Sequence, residues 1–192
     1  NNIKMAIRLN LDKNRNKLVI LEHGLGARKE YPHMLVLENF FVKNGYNVLS
    51  IDACDSNNDS DKSLEGITFS GHYNDLEDAI NWAKTQNFYS EPFALAGQSL
   101  GAQSVVLYAG NYPNKVNVLL PVAFCWINGK EETKTSTRRK IIEKQGFAEK
   151  ISKSTGKSFL IKKNYLDDLE NYNLESTIKN IKAHTYIFIG TE

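Results

Sequence analysis

Gly97-Gln98-Ser99-Leu100-Gly101 is the most informative stretch of this chain. It follows a short apolar run, Phe93-Ala94-Leu95-Ala96, and opens a segment with few charges that reaches Ala109. The run has the character of a buried strand and the segment that of a central helix. A serine between them stands at the tip of a tight strand-to-helix turn, in a strained backbone conformation that presents its hydroxyl. Gly97 and Gly101 are needed because a side chain at either place meets the adjoining strand or helix. The helix N-terminus beneath the serine offers free backbone N–H groups and a partial positive charge to a developing oxyanion. The structural alternative is a glycine-bounded turn that only packs a helix on a sheet.

A second segment lies upstream. His23-Gly24-Leu25-Gly26 directly follows Leu18-Val19-Ile20-Leu21-Glu22, whose continuous apolar run predicts a central strand buried on both faces. Acyl-transfer sites take one oxyanion donor from the residue after the nucleophile and another from the loop after an earlier strand. Here those donors are the N–H groups of Leu100 and Leu25. Gly24 and Gly26 let that loop's backbone come close to a substrate oxygen. The same glycines also fit a dinucleotide-binding turn, but Lys29 stands where a third glycine belongs, and the serine turn is then unexplained.

Outward from these two segments, strands and helices alternate. Residues 3–11 alternate and run into a polar turn at 12–16, which predicts an antiparallel hairpin with the strand at 17–22. Met34, Leu37, Phe40 and Phe41 fall at helical spacing, with Gly45 as a left-handed stop. A strand follows at 46–51, ending at Asp52, then a polar loop at 55–66 and a helix at 74–85. Residues 116–124 form a further strand and 185–189 the last one. Between them, 128–182 is charged and reads as helical. The expected fold is α/β, a doubly wound, mostly parallel sheet flanked by helices, in one domain spanning 1–192 with a helical lid insertion at about 128–182.

The chain has 41% hydrophobic and 24% charged residues, as ordinary globular proteins do, and no apolar run long enough for a transmembrane segment. A net charge of +2 argues against a nucleic-acid partner. Charge is unevenly spread: residues 52–78 hold eight acids and one lysine, and residues 130–163 hold eleven bases and four acids. These are two solvated faces or, alternatively, two sides of a cleft. Cys54 and Cys125 are too few for a disulfide framework and lack metal-ligand spacing, so no metal is expected and a reducing cytoplasm is the default location. Asn58-Asp59-Ser60 fits a glycosylation acceptor at about the frequency of chance. The first residues lack a start methionine and the order of a signal peptide, so the coding sequence began upstream or a leader was removed.

With both motifs in place the chain resembles the α/β-hydrolase superfamily over nearly all its length. It is most similar to the esterase, lipase and serine-peptidase-like branches, where an HGxG loop, a GxSxG nucleophile elbow and a lid occur in this order. The resemblance implies that Ser99 is the nucleophile, that Leu25 and Leu100 line the oxyanion hole, and that His23 shapes its loop without moving protons. It implies a small-molecule carboxylic ester as substrate and no cofactor; it says nothing of oligomeric state. Family order is nucleophile, acid, histidine. The acid is expected after the strand at 185–189; Gly190-Thr191-Glu192 begins that setting, and Glu192 is itself a candidate. No place remains for the histidine, so the domain is expected to be incomplete at its C-terminus and 1–192 nearly inactive. His33, His72 and His184 do not occupy the family's position. Arg138, Arg139, Lys140 and Lys144 lie with Ile141 and Ile142 in an expected lid helix. Trp126, after the strand at 116–124, either lines an acyl or aryl pocket or packs the lid on the sheet. The alternative function is a non-catalytic binding protein that keeps the elbow.

Overall fold

A computed structural model describes residues 4–54, 66–124, 137–152, 156 and 158–190. In chain order the strands are β1 (Ile7–Asn10), β2 (Lys17–Glu22), β3 (Tyr46–Ile51), β4 (Phe93–Gln98), β5 (Val116–Val122), β6 (Phe147–Ile151), β7 (Ser158–Lys162) and β8 (His184–Thr185). The helices are α1 (Pro32–Lys43), α2 (Phe69–Ala83), α3 (Leu100–Asn111), α4 (Thr137–Gln145), α5 (Lys163–Leu169) and α6 (Leu174–Ile178). Six strands form one sheet in the order β1-β3-β2-β4-β5-β8, parallel throughout except for β1. The fold is therefore α/β with a mostly parallel sheet flanked by helices.

The apolar run of β2 divides between two cores. Leu18 and Ile20 join Leu49, Ile51, Leu95 and the apolar faces of α2 and α3. Val19 and Leu21 point the other way, to Val48, Ala94, Ala96 and the Met34 and Phe41 side chains of α1. Alternate side chains of a strand face opposite sides, so a strand with helices on both sides must be apolar without interruption.

Four expectations are corrected. The strand at 3–11 does not form a hairpin with 17–22: β1 pairs antiparallel with β3, Ile7 opposite Ile51. Both edges of the fully buried β2 are taken by parallel partners, leaving the half-exposed β1 the outer position. The helix expected at 74–85 starts at Phe69, because Thr68 caps it, its hydroxyl oxygen accepting from the Gly71 N–H at 2.9 Å. The region expected to be a helical lid contains α4, α5 and α6 but also an antiparallel ribbon, β6 with β7. Ala148, Phe159 and Ile161 are buried while Phe147, Glu149, Ile151 and Ser158 are exposed, the period of a strand with one covered face. The last strand spans two residues, with a further bridge from Phe188 to Val122.

Candidate active site

Ser99 joins β4 to α3 and has φ 54° and ψ −109°, a region that non-glycine residues rarely enter. Such strain costs of order 1–3 kcal/mol and persists only where the surroundings over-determine it. Those surroundings are the two glycines. A Cβ on Gly97 would lie 2.3 Å from the Gly101 carbonyl oxygen, and one on Gly101 would lie 2.5 Å from the carbonyl oxygens of both Glu22 and His23. The first turn of α3 is thus pressed against β4 and against the end of β2. The Ser99 N–H donates to the Val122 carbonyl at 2.9 Å, which ties the turn to β5 as well.

The loop after β2 reaches the same place. A Cβ on Gly24 would stand 2.9 Å from the Gln98 carbonyl oxygen and 3.0 Å from the Ser99 Cβ. Residues 24–27 form a turn closed by the Ala27 N–H donating to the Gly24 carbonyl at 3.0 Å, with Gly26 at φ +69°. Both ends of the loop are anchored to the end of β3. The Lys29 backbone N–H and its ammonium each donate to Asp52 at 2.6 Å. Burial pushes the Lys29 ammonium down, but its hydrogen bonds to Asp52 and Glu30 outweigh this and the net direction is up. His23 is fully buried; its Nδ1–H donates to the Gly24 carbonyl at 2.8 Å and its Nε2 accepts from the Ala53 N–H at 3.1 Å. Burial, helped by the neighbouring His72, pushes its pKa down to about 4. A neutral ring with both nitrogens engaged by backbone holds the loop and has no proton to exchange.

Ser99 is half-buried and faces a cavity of about 380 Å³. It is lined by Gln98 and Ser99, by Leu25, Ala27, Tyr31 and His33, and by Lys150, Ile151 and Ser152 at the end of β6. Leu25 thus stands in the same cavity as Ser99, and Leu100 is the first residue of α3 directly beneath it. Trp126 and Glu192 lie outside the described residues, as do Cys125, residues 55–65 of the polar loop at 55–66 and residues 130–136 of the basic stretch at 130–163; Arg138 is described by its backbone alone. Arg139 pairs with Glu143 at 2.6 Å and Glu170 at 2.9 Å, Ile142 is buried and Ile141 is 40% exposed.

The histidines separate clearly. His72 sits inside α2, buried, with Nδ1 2.5 Å from Glu22 Oε1. Burial raises the Glu22 carboxyl well above its ordinary value, and the charge of Asp75 adds to this. His184 pairs with Val118, at the end of β5 away from Val122 and the serine. His33 alone among the described histidines lines the Ser99 cavity; burial lowers its pKa, opposed by a hydrogen bond with Gln98, and its Nε2 is buried without a hydrogen-bond partner. Tyr31 and the residues 150–152 were not singled out from the sequence, since only the fold brings them to Ser99; His33 was considered there and set aside for its position in the chain, and Gln98 belongs to the serine motif itself. Among the described residues no three His, Cys, Asp or Glu side chains are grouped to hold a metal ion, and no helix is long and apolar enough to cross a membrane.

No protein-family model matches this chain, and no curated protein matches it. Solved structures do. Est1E from Butyrivibrio proteoclasticus with ferulic acid bound superposes with a TM-score of 0.82 at 20% identity, over 96% of this chain and 74% of that one. Alpha/beta hydrolase domain-containing protein 10 from mouse gives 0.74 at 16% identity, over 99% and 85%. The alpha/beta hydrolase GrgF from Penicillium sp. sh18 gives 0.74 at 16%, over 95% and 75%. At these identities the likeness is one of fold, that of the α/β hydrolases.

Proposed function

We propose that this α/β-hydrolase-fold chain carries the nucleophile of a serine hydrolase that cleaves carboxylic esters through an acyl-enzyme on Ser99. The observation that carries the reading is the meeting of two distant glycine segments: the strained Ser99, open to a cavity, lies in contact with the Gly24 loop. In the reaction the Ser99 Oγ attacks the ester carbonyl carbon while a general base takes its proton. The carbonyl oxygen becomes an oxyanion that receives hydrogen bonds from the N–H groups of Leu25 and Leu100. The carbon–oxygen bond to the alcohol breaks, the base returns the proton to the leaving alkoxide, and water repeats the sequence to free the acid. One oxyanion donor contributes about 3 kcal/mol to such a step. That Est1E was solved with ferulic acid bound supports an ester of a carboxylic acid as the substrate class.

In this reading residues 1–192 belong to one hydrolase domain, 128–182 is its lid, and the acid and histidine lie beyond the described residues. A reducing cytoplasm remains the proposed location, with no cofactor in the chemistry. The test is labelling of the full-length polypeptide by a fluorophosphonate probe, with Ser99→Ala as control. One adduct per chain, absent from the variant and accompanied by a loss of p-nitrophenyl ester hydrolysis of at least about a thousand-fold, is the expected result. Labelling that ignores the substitution removes Ser99 from the chemistry.

The second reading, a non-catalytic binding protein on the same fold, draws on the histidines: His23 and His72 are buried with their Nδ1 atoms bonded, and His184 stands at the far end of the sheet. It predicts no adduct at all.

A further inference from the structure

The two glycines flanking Leu25 leave its loop without the backbone preferences that a Cβ imposes. A loop of that kind presents an amide in a fixed direction only if something outside it holds it. His23 and Lys29 hold the two ends. The middle is met by the β6–β7 ribbon, more than a hundred residues away in sequence. The Ser152 hydroxyl, buried at 4% exposure, donates to the Gly26 carbonyl at 2.7 Å. From the facing strand the Phe159 ring comes so close that a Cβ on Gly26 would lie 3.0 Å from it. Ser152 grips the polar side of the turn and Phe159 fills the space a side chain would need.

We propose that Ser152 is a positioning residue: its hydroxyl fixes the Gly26 carbonyl and thereby the direction of the Leu25 N–H toward the oxygen on which charge develops. The ribbon is then part of the anion-binding apparatus as well as a wall of the cavity. This rests on the reading of Ser99 as nucleophile. The hydroxyl proton is engaged by the Gly26 carbonyl, so its loss is expected to act on turnover far more than on ground-state binding.

The test compares Ser152→Thr with Ser152→Val in the full-length polypeptide. The two have nearly the same volume and differ in the hydroxyl, so any packing penalty is shared; Ser152→Ala and thermal midpoints complete the set. Steady-state hydrolysis of p-nitrophenyl butyrate and inhibition by a trifluoromethyl ketone of the same acyl chain, whose hemiketal oxygen mimics the oxyanion, are measured on each. Valine and alanine are expected to lower kcat about ten-fold and to weaken the ketone in parallel, with KM within about two-fold, while threonine stays within about three-fold of wild type. Equal kcat in the threonine and valine variants, or a rise in KM alone, overturns the proposal and leaves Ser99 in place. A wild-type protein with no Ser99-dependent turnover overturns both.

Discussion

At Ser99 the positive φ follows from what surrounds it. Gly97 and Gly101 have backbone, not flexible side chains, where a Cβ would go. Gly101→Ala forces α3 away from β2, and a loss of about 3 kcal/mol is expected in urea unfolding, with the hydrolytic activity lost as well. A destabilisation below 1 kcal/mol shows that the helix shifts freely there. His23 makes a different prediction. Its folded pKa of about 4 lies below the ordinary 6.5, so between these values the unfolded chain binds a proton that the folded chain refuses. Its contribution to stability is complete above pH 6.5 and drains away as pH falls toward 4. Unfolding free energies from urea titrations at pH 7, 6 and 5 are expected to decline less steeply in His23→Asn, by up to about 1.4 kcal/mol per pH unit. His33 titrates in the same direction in both proteins, so the difference belongs to His23; parallel curves exclude it. The spacing of glycines around Ser99 and Leu25 was readable without coordinates because a missing side chain is itself a statement about close approach. Nothing comparable marks Tyr31 or Ser152, ordinary residues that become neighbours of the cavity only through folding.

The link from the Gly24 loop to β3 is a buried ion pair. Asp52 is fully buried and takes both the Lys29 N–H and ammonium, so Asp52→Ala removes the fully buried one of the two carboxylates that pair with this cation and leaves it Glu30. The expected cost is about 3–5 kcal/mol, read from thermal or urea unfolding. A cost near zero means that water reaches Lys29. Strands β2, β3, β4 and β5 were legible because each is long enough to show its pattern. The ribbon of β6 and β7 was not: each strand has five residues, and its alternation is buried among Lys144, Glu149, Lys150 and Lys162. The beginning of α2 was missed although Thr68 is an ordinary capping residue, since Phe69 and Gly71 weaken the helical period there. The pairing of β1 with β3 follows from competition for the edges of β2, a property of the whole sheet that no local window contains.

The two sides of the sheet are unequally clothed. The side bearing α2 and α3 holds the larger core, joined by Ile142, Ile161, Leu166 and Leu174. The other side is covered by α1, whose Val36 and Phe40 are 68% and 51% exposed, and Tyr186, Ile187, Phe188 and Ile189 next to β5 are each more than half exposed. Between them runs an apolar groove of about 390 Å³ lined by Leu37, Leu120, Val122 and Phe188. A contiguous apolar surface of this kind binds hydrophobic dyes. The polypeptide of residues 1–192 is expected to enhance ANS fluorescence at neutral pH, and Val36→Lys with Phe40→Lys to cut the signal by about half. An unchanged signal places the dye elsewhere. The spacing of Met34, Leu37, Phe40 and Phe41 marks the apolar face of α1 in the sequence, but Phe40, read there with the covered face, is half exposed, and Val36 carries no signal of its own.

Because Gly101 lets α3 close against the carbonyls of Glu22 and His23, the serine and the loop beside it are machined into one block, while the ribbon joins that block through Ser152 and Phe159 and the core behind it through Ala148 and Ile161. The interchangeable part is therefore the ribbon's uncovered face, not the ribbon as a whole. Redesign of what the cavity accepts belongs in residues 147–162, at Lys150 and Ile151 above all. On the proposed reading, a transplanted ribbon that keeps the serine, the phenylalanine and the two core residues preserves the surroundings of Ser99, and one that discards them has to rebuild them.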